Sequence, residues 1–380
     1  MEIFPAILIG GPPHRGKSVL LYHLSQALRR RGVEHYALRA APDGEGDWAS
    51  EIDQSRVRLI RLKGEWSPAW VERISRDIAA RHLPLLVDVG GRPQPWQEPI
   101  IARCTHAVLL YSQPDELAWW QALSRRHGLT VVAELESQQV GQARLWPAAP
   151  LFRARLTGLE RGAPLAGPVF EALVDHLTID LAFSHPELSR IHAATAPLEQ
   201  PLDLAQLARQ FHLTPAQPWQ PAQLPRLLQQ LPAGQPLALY GRGPNWLLAA
   251  AARQTCPAPF YQFDARLGWV SPPQLRLEPP PDAPLYVRQL ERQDYTEFAF
   301  ELAGGYLDYP RDKALVAPPA PAGRPLLLSG KLPLWLYTAL ARAYREAPLL
   351  AIYQPMTGGV VIHSTRPPWM PGDLLPAAKE

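Results

Sequence analysis

The chain has 380 residues, 47% hydrophobic and 19% charged, with 38 basic against 35 acidic side chains for a formal charge of +3. That balance excludes a disordered chain and a broadly basic nucleic-acid binder, so no DNA partner is expected. The length calls for two or three domains, each with its own core. Lysine is confined to Lys17, Lys63, Lys313, Lys331 and Lys379, so arginine supplies most of the positive charge. Genomic composition is the plain reading of that bias, with selection for phosphate-binding forks as the alternative. Cys104 and Cys256 lie far apart with no CxxC or Cys/His cluster, which excludes a disulfide framework and a zinc site of ordinary spacing. The opening "MEIFPAILIGGPP" has no basic flank, and its apolar run is too short for a signal peptide or a spanning helix. A cytoplasmic protein without a membrane partner is expected.

In chain order, "IFPAILIG" (3–10) reads as a buried strand, followed by "GPPHRGKS" (11–18) and the amphipathic run "VLLYHLSQALRRRG". This is GxxxxGK[ST] with a strand before it and a helix after it. In such a loop Gly11 and Gly16 let backbone amides and the helix N-terminus face phosphate oxygens. Lys17 is placed to reach the β- and γ-phosphates of ATP, and Ser18 to hold Mg²⁺. Further strands are predicted at 34–40, 105–112, 129–137 and 151–159, alternating with helices at 17–31, 68–82, 114–127 and 167–182. That alternation predicts a parallel sheet with helices on both faces and ligands beyond the strand C-termini.

"LPLLVDVGG" ends a strand at Asp88, the position of a magnesium-orienting carboxylate in this architecture, or of a turn cap. "APDGEGDW" leaves the second strand at the same edge. Its Asp43, Glu45 and Asp47 read either as orienting groups for metal, water or a second substrate, or as an acidic glycine turn. Residues 1–188 resemble the P-loop NTPases of the dethiobiotin-synthetase and nitrogenase-iron-protein type, through "GPPHRGKS", "DVGG" and "THAVLLYS". The resemblance implies an ATP-binding domain and leaves ATPase and kinase chemistry open.

Around 185–200 the pattern loosens, which reads as a boundary. Beyond it "GRGPNWLLAA" from Gly241 and "GKLPLWLYTA" from Gly330 share one pattern at an offset of 89. Pro259 and Pro348 keep that offset, and Gly268 and Gly358 lie 90 apart, so a single one-residue gap aligns the two halves as an internal duplication. Each copy reads strand, turn, proline-started helix, loop, strand, glycine turn, strand. Gly241-Arg242 and Gly330-Lys331 put amides and a cation at a helix start, a natural anion seat. Trp246 and Trp335 read as core residues. The copies are expected at 200–282 and 283–377, packed as a pseudo-dimer.

These motifs, with "APLLAIYQPMTGGVVIH" and "CPAPFYQFDARLG", resemble the small CRISPR-associated ring nucleases that accompany type III systems. The resemblance implies binding and cleavage of cyclic tetra-adenylate, a clamping homodimer and assistance by manganese. It also implies a fusion of such repeats to a P-loop domain. In the first copy Asp264 and Arg266 keep the family's acid and base, while Cys256 stands where a histidine is expected. In the second copy Gln354-Pro355-Met356 has neither, Arg345 replaces the histidine, and His363 lies near the later histidine's place. The candidate catalytic set is therefore Asp264, Arg266 and His363. Internal attack by a 2′-hydroxyl would need a base and charge neutralisation at phosphate. A bracing Asp–Arg pair is the structural alternative. Two other functions compete: a cyclic-oligoadenylate sensor that gates the ATP-binding domain, and a kinase whose repeats only dimerise it.

Overall fold

A computed structural model describes residues 4–42, 66–147, 150–214, 219–279, 284–303, 307–309, 315–355 and 357–376. Asp43, Glu45 and Asp47 lie outside the described residues. The chain is mixed α/β and divides into two compact units, residues 1–190 with 265–268, and residues 191–264 with 269–380.

The first unit runs β1 (Ala6–Gly10), α1 (Lys17–Arg30), β2 (Tyr36–Arg39), α2 (Pro68–Ala79), β3 (Leu85–Asp88), α3 (Glu98–Ile101), β4 (His106–Tyr111) and α4 (Pro114–Arg126). It continues through β5 (Thr130–Gln138), β6 (Arg144–Trp146), β7 (Phe152–Thr157), α5 (Pro168–Asp180) and α6 (His185–Ala193), within which the division falls. The strand order is β2-β3-β1-β4-β5-β7-β6. All neighbours are parallel except β6, which folds back antiparallel on β7 as an edge strand. β1, β3 and the centre of β4 are buried throughout, as a sheet covered on both faces requires. Leu20, Leu24 and Leu28 set the buried stripe of α1, which shares a core with Phe170, Leu173 and Leu177 of α5.

The stretch read as a boundary holds a helix. Ser184 and Glu187 form the S-x-x-E pattern of a helix start, and the Ser184 hydroxyl accepts from the Glu187 amide at 3.4 Å.

The second unit begins with β8 (Leu202–Asp203), α7 (Leu204–Gln210), α8 (Leu224–Gln230), β9 (Leu237–Tyr240), α9 (Asn245–Gln254), β10 (Phe260–Asp264), β11 (Gly268–Val270) and β12 (Leu275–Leu277). It ends with β13 (Leu285–Glu291), β14 (Thr296–Leu302), β15 (Leu315–Ala317), β16 (Leu326–Gly330), α10 (Leu334–Ala343), β17 (Leu349–Gln354), β18 (Gly358–Ser364) and β19 (Leu374–Leu375). One sheet has the order β11-β10-β9-β8, the other β13-β14-β16-β17-β18-β19, and β12 pairs with β15 alone. Four neighbours of the larger sheet, β18-β17-β16-β14, repeat the order of the smaller one. The hairpin β13–β14 was not foreseen in the sequence; Thr296, Phe298 and Phe300 alternate inward along it.

Trp246 and Trp335 are 2% and 1% exposed, so both are core. Pro244 and Pro333 are N-caps with extended ψ of 156° and 149°, not first-turn residues. Their carbonyls accept the amides of Leu247 and Leu336, so proline starts each helix from one position earlier.

α9 and α10 pack against each other and exchange caps. Arg342 of α10 donates through Nη1 to the Ala252 carbonyl at 2.8 Å and Thr255 Oγ1 at 2.9 Å, and through Nη2 to the Ala258 carbonyl at 2.9 Å. Arg253, 89 positions earlier, donates to the Arg345 carbonyl just past the end of α10 at 2.8 Å. Each guanidinium thus donates to backbone carbonyls at or just past the C-terminal end of the other helix, the reciprocity expected of a two-fold contact. Arg342→Met leaves more carbonyls without a donor than Arg253→Met does. Urea denaturation of the full chain should show losses of about 2 and about 1 kcal/mol respectively. Equal losses would count against the cap as the cause.

Candidate functional site

Parallel pairing sets the first unit's site. Ile9 of β1 lies in register with Asp88 of β3, and Asp88 with Arg39 of β2. The strand order reverses about β1, so the crevice of a doubly wound sheet opens beyond these C-terminal ends.

The loop from Gly11 to Gly16 is fixed by conformation and by space. Gly11 has φ of 149°, and a Cβ there would meet the Leu110 carbonyl oxygen at 2.6 Å. Gly16, the N-cap of α1, has φ of 79°, and a Cβ would collide with Leu159. Neither position accepts an L side chain without strain. Behind the loop Arg15 pairs with Glu116 at 2.9 Å, Glu116 accepts the Ser112 and Gln113 amides, and Ser137 Oγ donates to the Arg15 carbonyl at 3.1 Å. Burial alone would raise the Glu116 carboxyl, but the Arg15 hydrogen bond and the two amides outweigh it and hold the pKa at about 2.

Lys17 opens α1 and is only 6% exposed. Its ammonium donates to the Pro12 carbonyl at 2.5 Å, bridging the loop it follows. Burial lowers its pKa to about 8; Asp88 opposes that shift, and Arg39 and Arg15 add to it. Ser18 Oγ donates to Asp88 Oδ2 at 2.7 Å. Asp88 has no exposed surface, and its Oδ1 accepts the Gly90 amide at 2.9 Å. Arg39 Nη1 donates to both Ser18 Oγ, at 2.5 Å, and Asp88 Oδ2, at 2.8 Å. The fold therefore gathers Gly11, Gly16, Lys17, Ser18 and Asp88 at one sheet edge. It adds Arg39, whose signal in the sequence was its place at the tip of a strand beside the acidic one.

Ser18 and Asp88 offer a hydroxyl and a carboxylate, hard oxygen donors that fit a magnesium ion. Among the described residues no cluster of three or more His, Cys, Asp or Glu could enclose a metal. A metal here would be completed by oxygens from outside the protein, as magnesium sites commonly are. Asp264 belongs to no such cluster among the described residues either.

In the second unit, Gly241-Arg242 and Gly330-Lys331 follow β9 and β16 and precede α9 and α10. Gly241 has φ of 101° and Gly330 φ of 137°, where a Cβ would strike the Phe300 carbonyl. Backbone geometry alone thus demands both glycines. β10 pairs with β9 in the register Gln262↔Leu239, which brings Asp264 two residues on to the level of Gly241. Arg266 belongs to the turn grouped with the first unit and stands 3.8 Å from Asp77.

His363 lies elsewhere. It pairs with Leu350, which pairs with Leu326, four residues before Gly330. Four residues of strand separate it from the Gly330-Lys331 turn by about 13 Å. Burial, with Arg253 second, lowers its pKa to about 4, so the ring is neutral at neutral pH.

A family model described as CRISPR-associated protein (Cas_csx3) matches residues 301–376, from the end of β14 through β19. The match marks the C-terminal region as CRISPR-associated. No helix among the described residues is long and apolar enough to cross a membrane.

The Arg15–Glu116 brace should be visible in acid. A carboxylate held at about 2 instead of 4.5 contributes stability that is complete above pH 4.5 and lost as pH falls toward 2. Because Arg15 is one-third exposed (33%), about 2 kcal/mol is the expected size. Acid titration of Glu116→Gln should show a correspondingly flatter slope in that window, and an unchanged slope would remove Glu116 as the brace.

Proposed function

We propose that the chain is a two-part CRISPR ancillary protein: an ATP-binding unit joined to duplicated repeats that bind and cleave a cyclic oligoadenylate. The observation that carries the first part is the placement of Lys17 and Ser18 at the start of α1, with Ser18 bonded to the buried Asp88 of the neighbouring strand. A glycine loop, a buried ammonium and a hydroxyl–carboxylate pair are the groups that hold a nucleoside triphosphate with its metal. Magnesium held by Ser18 and Asp88 would neutralise charge on the terminal phosphates. Lys17 would exchange the Pro12 carbonyl for phosphate oxygens, while the loop glycines keep their amides turned inward.

The second part is supported by the family match over 301–376, by the resemblance of both repeats to ring nucleases, and by their shared turn design. Gly241-Arg242 and Gly330-Lys331 each set a cation where a parallel strand gives way to a helix. On this reading Arg242 and Lys331 hold ring phosphates, Asp264 serves as the base, and Arg266 neutralises charge at the scissile phosphate. Arg266 must then exchange its contact with Asp77, a long ion pair of 3.8 Å, for phosphate. The placement of His363 gives it no part beside Lys331.

A sensor that binds the ring without cutting it is the second reading. It is favoured by Gln354 at the end of β17, where the first repeat has Asp264 at the end of β10.

Incubation with cyclic tetra-adenylate, with and without manganese, separates these readings. Linear products support cleavage, tight binding without products supports the sensor, and no binding removes both. If cleavage occurs, Asp264→Ala and Arg266→Ala should each slow it on the order of a hundredfold, and Gln354→Ala should not. Light scattering should show a homodimer that brings four repeats to one ring.

Lys17→Ala should abolish ATP binding in a calorimetric titration. Wild-type affinity should fall as pH rises through about 8, because the free protein then loses the ammonium that meets the phosphates. Affinity that is flat from pH 7 to 9 would exclude Lys17 from the phosphate contact.

A further inference from the structure

Arg39 ends β2 in register with Asp88, and a single nitrogen of its guanidinium reaches two oxygens. Nη1 donates to Ser18 Oγ at 2.5 Å and to Asp88 Oδ2 at 2.8 Å, while Ser18 gives its own proton to that same Oδ2 at 2.7 Å. The three groups close a triangle. The other carboxylate oxygen is turned to the Gly90 amide. Oδ2 and the Ser18 hydroxyl are thus bonded to each other, and a guanidinium already sits on both.

They are also the pair that a divalent ion would use. An ion brought onto them would meet a positive charge within hydrogen-bond distance, in a site where Asp88 is fully buried and Arg39 is 12% exposed. Two cations on one buried carboxylate repel strongly, and a single negative charge cannot balance them. Lys17, bonded to the Pro12 carbonyl, already adds positive charge nearby.

We propose that Arg39 is a resident cation that competes with the divalent metal for Ser18 and Asp88, so that metal–nucleotide loading requires Arg39 to leave them. The inference rests on the nucleotide reading above and deepens it by naming the residue that sets the metal dependence of that site. Loading is an exchange of partners. The metal takes the hydroxyl and carboxylate, and the guanidinium, released at the mouth of the sheet edge, takes phosphate oxygens, which its planar fork suits. Every charge keeps a counter-charge through the exchange. A site without Arg39 would bind metal more readily and phosphate less tightly.

The test is ATP affinity of the full chain, measured by calorimetry across a series of magnesium concentrations. In Arg39→Met the magnesium concentration giving half of the maximal gain in ATP affinity should fall about tenfold. The affinity reached at saturating magnesium should weaken by about tenfold as well, because a phosphate contact is lost. Arg39→Lys keeps the charge but not the fork, so its midpoint should fall less, about threefold. A merely structural Arg39 would lower the melting temperature and leave the midpoint where it was.

The proposal is overturned if a folded Arg39→Met or Arg39→Lys protein binds ATP with an unchanged or higher magnesium midpoint. That outcome leaves the nucleotide reading intact, since ATP is still bound. If wild-type protein binds no ATP at any magnesium concentration, the nucleotide reading falls and takes this inference with it.

Discussion

Asp88 has no exposed surface, and a carboxyl group so placed has to find a partner for each of its oxygens. Its partners come from three places in the chain: Ser18 at the start of α1, Arg39 at the end of β2, and the Gly90 amide in the turn beyond β3. Satisfying this one group fixes where the first helix begins relative to two strands. Lys17 precedes Ser18 and is carried with it into the same buried edge, where its proton is held less tightly than in water. The low lysine pKa is a consequence of that arrangement. The cluster is thus one interaction seen from several residues, and changes at one of them will be felt at the others.

The second unit uses a related strand–turn–helix construction, in which the buried Asp203 ends β8 beside the Gly241 turn and accepts the Ala205 amide. Its turns are held by glycines whose φ excludes other residues, by proline N-caps, and by two buried tryptophans. The contacts of Arg253 and Arg342 join one repeat to the other, together with the packing of α9 on α10 and the pairing of β12 with β15. A guanidinium's planar fork of donors answers several carbonyls at once in fixed directions.

Much of the first unit was legible because its signals are local. Strand runs of continuous apolar residues, a glycine loop and an amphipathic helix declare themselves within a few residues, and the four predicted helices and the strands between them stand within a few residues of their expected ends. Edge strand β6 was not legible: Arg144, Leu145 and Trp146 give no alternation in so short a run. Arg39 escaped notice because a lone arginine at a strand tip is ordinary until the register puts it opposite Asp88. The position of His363 was hidden for a related reason: the antiparallel return of β18 sets it opposite Leu350, which spacing along the chain does not give. Motifs report what a segment can do, and pairing decides which segments do it together.

The duplication separates two kinds of constraint. Both repeats keep the left-handed glycine, the proline cap, the buried tryptophan and the capping arginine, each of which has a packing or backbone reason visible in the structure. They differ where the returning strand ends, at Asp264 in the first copy and Gln354 in the second. Folding therefore accounts for the frame that the copies share, and it does not account for the acid that only one of them has. Two independent active sites would leave the acid in both repeats. On the proposed reading, a ring clamped between unlike edges would need it once, and Arg242 and Lys331 would each meet phosphate. The pattern of what was kept fits a ligand that spans the pair better than one that sits on either repeat alone.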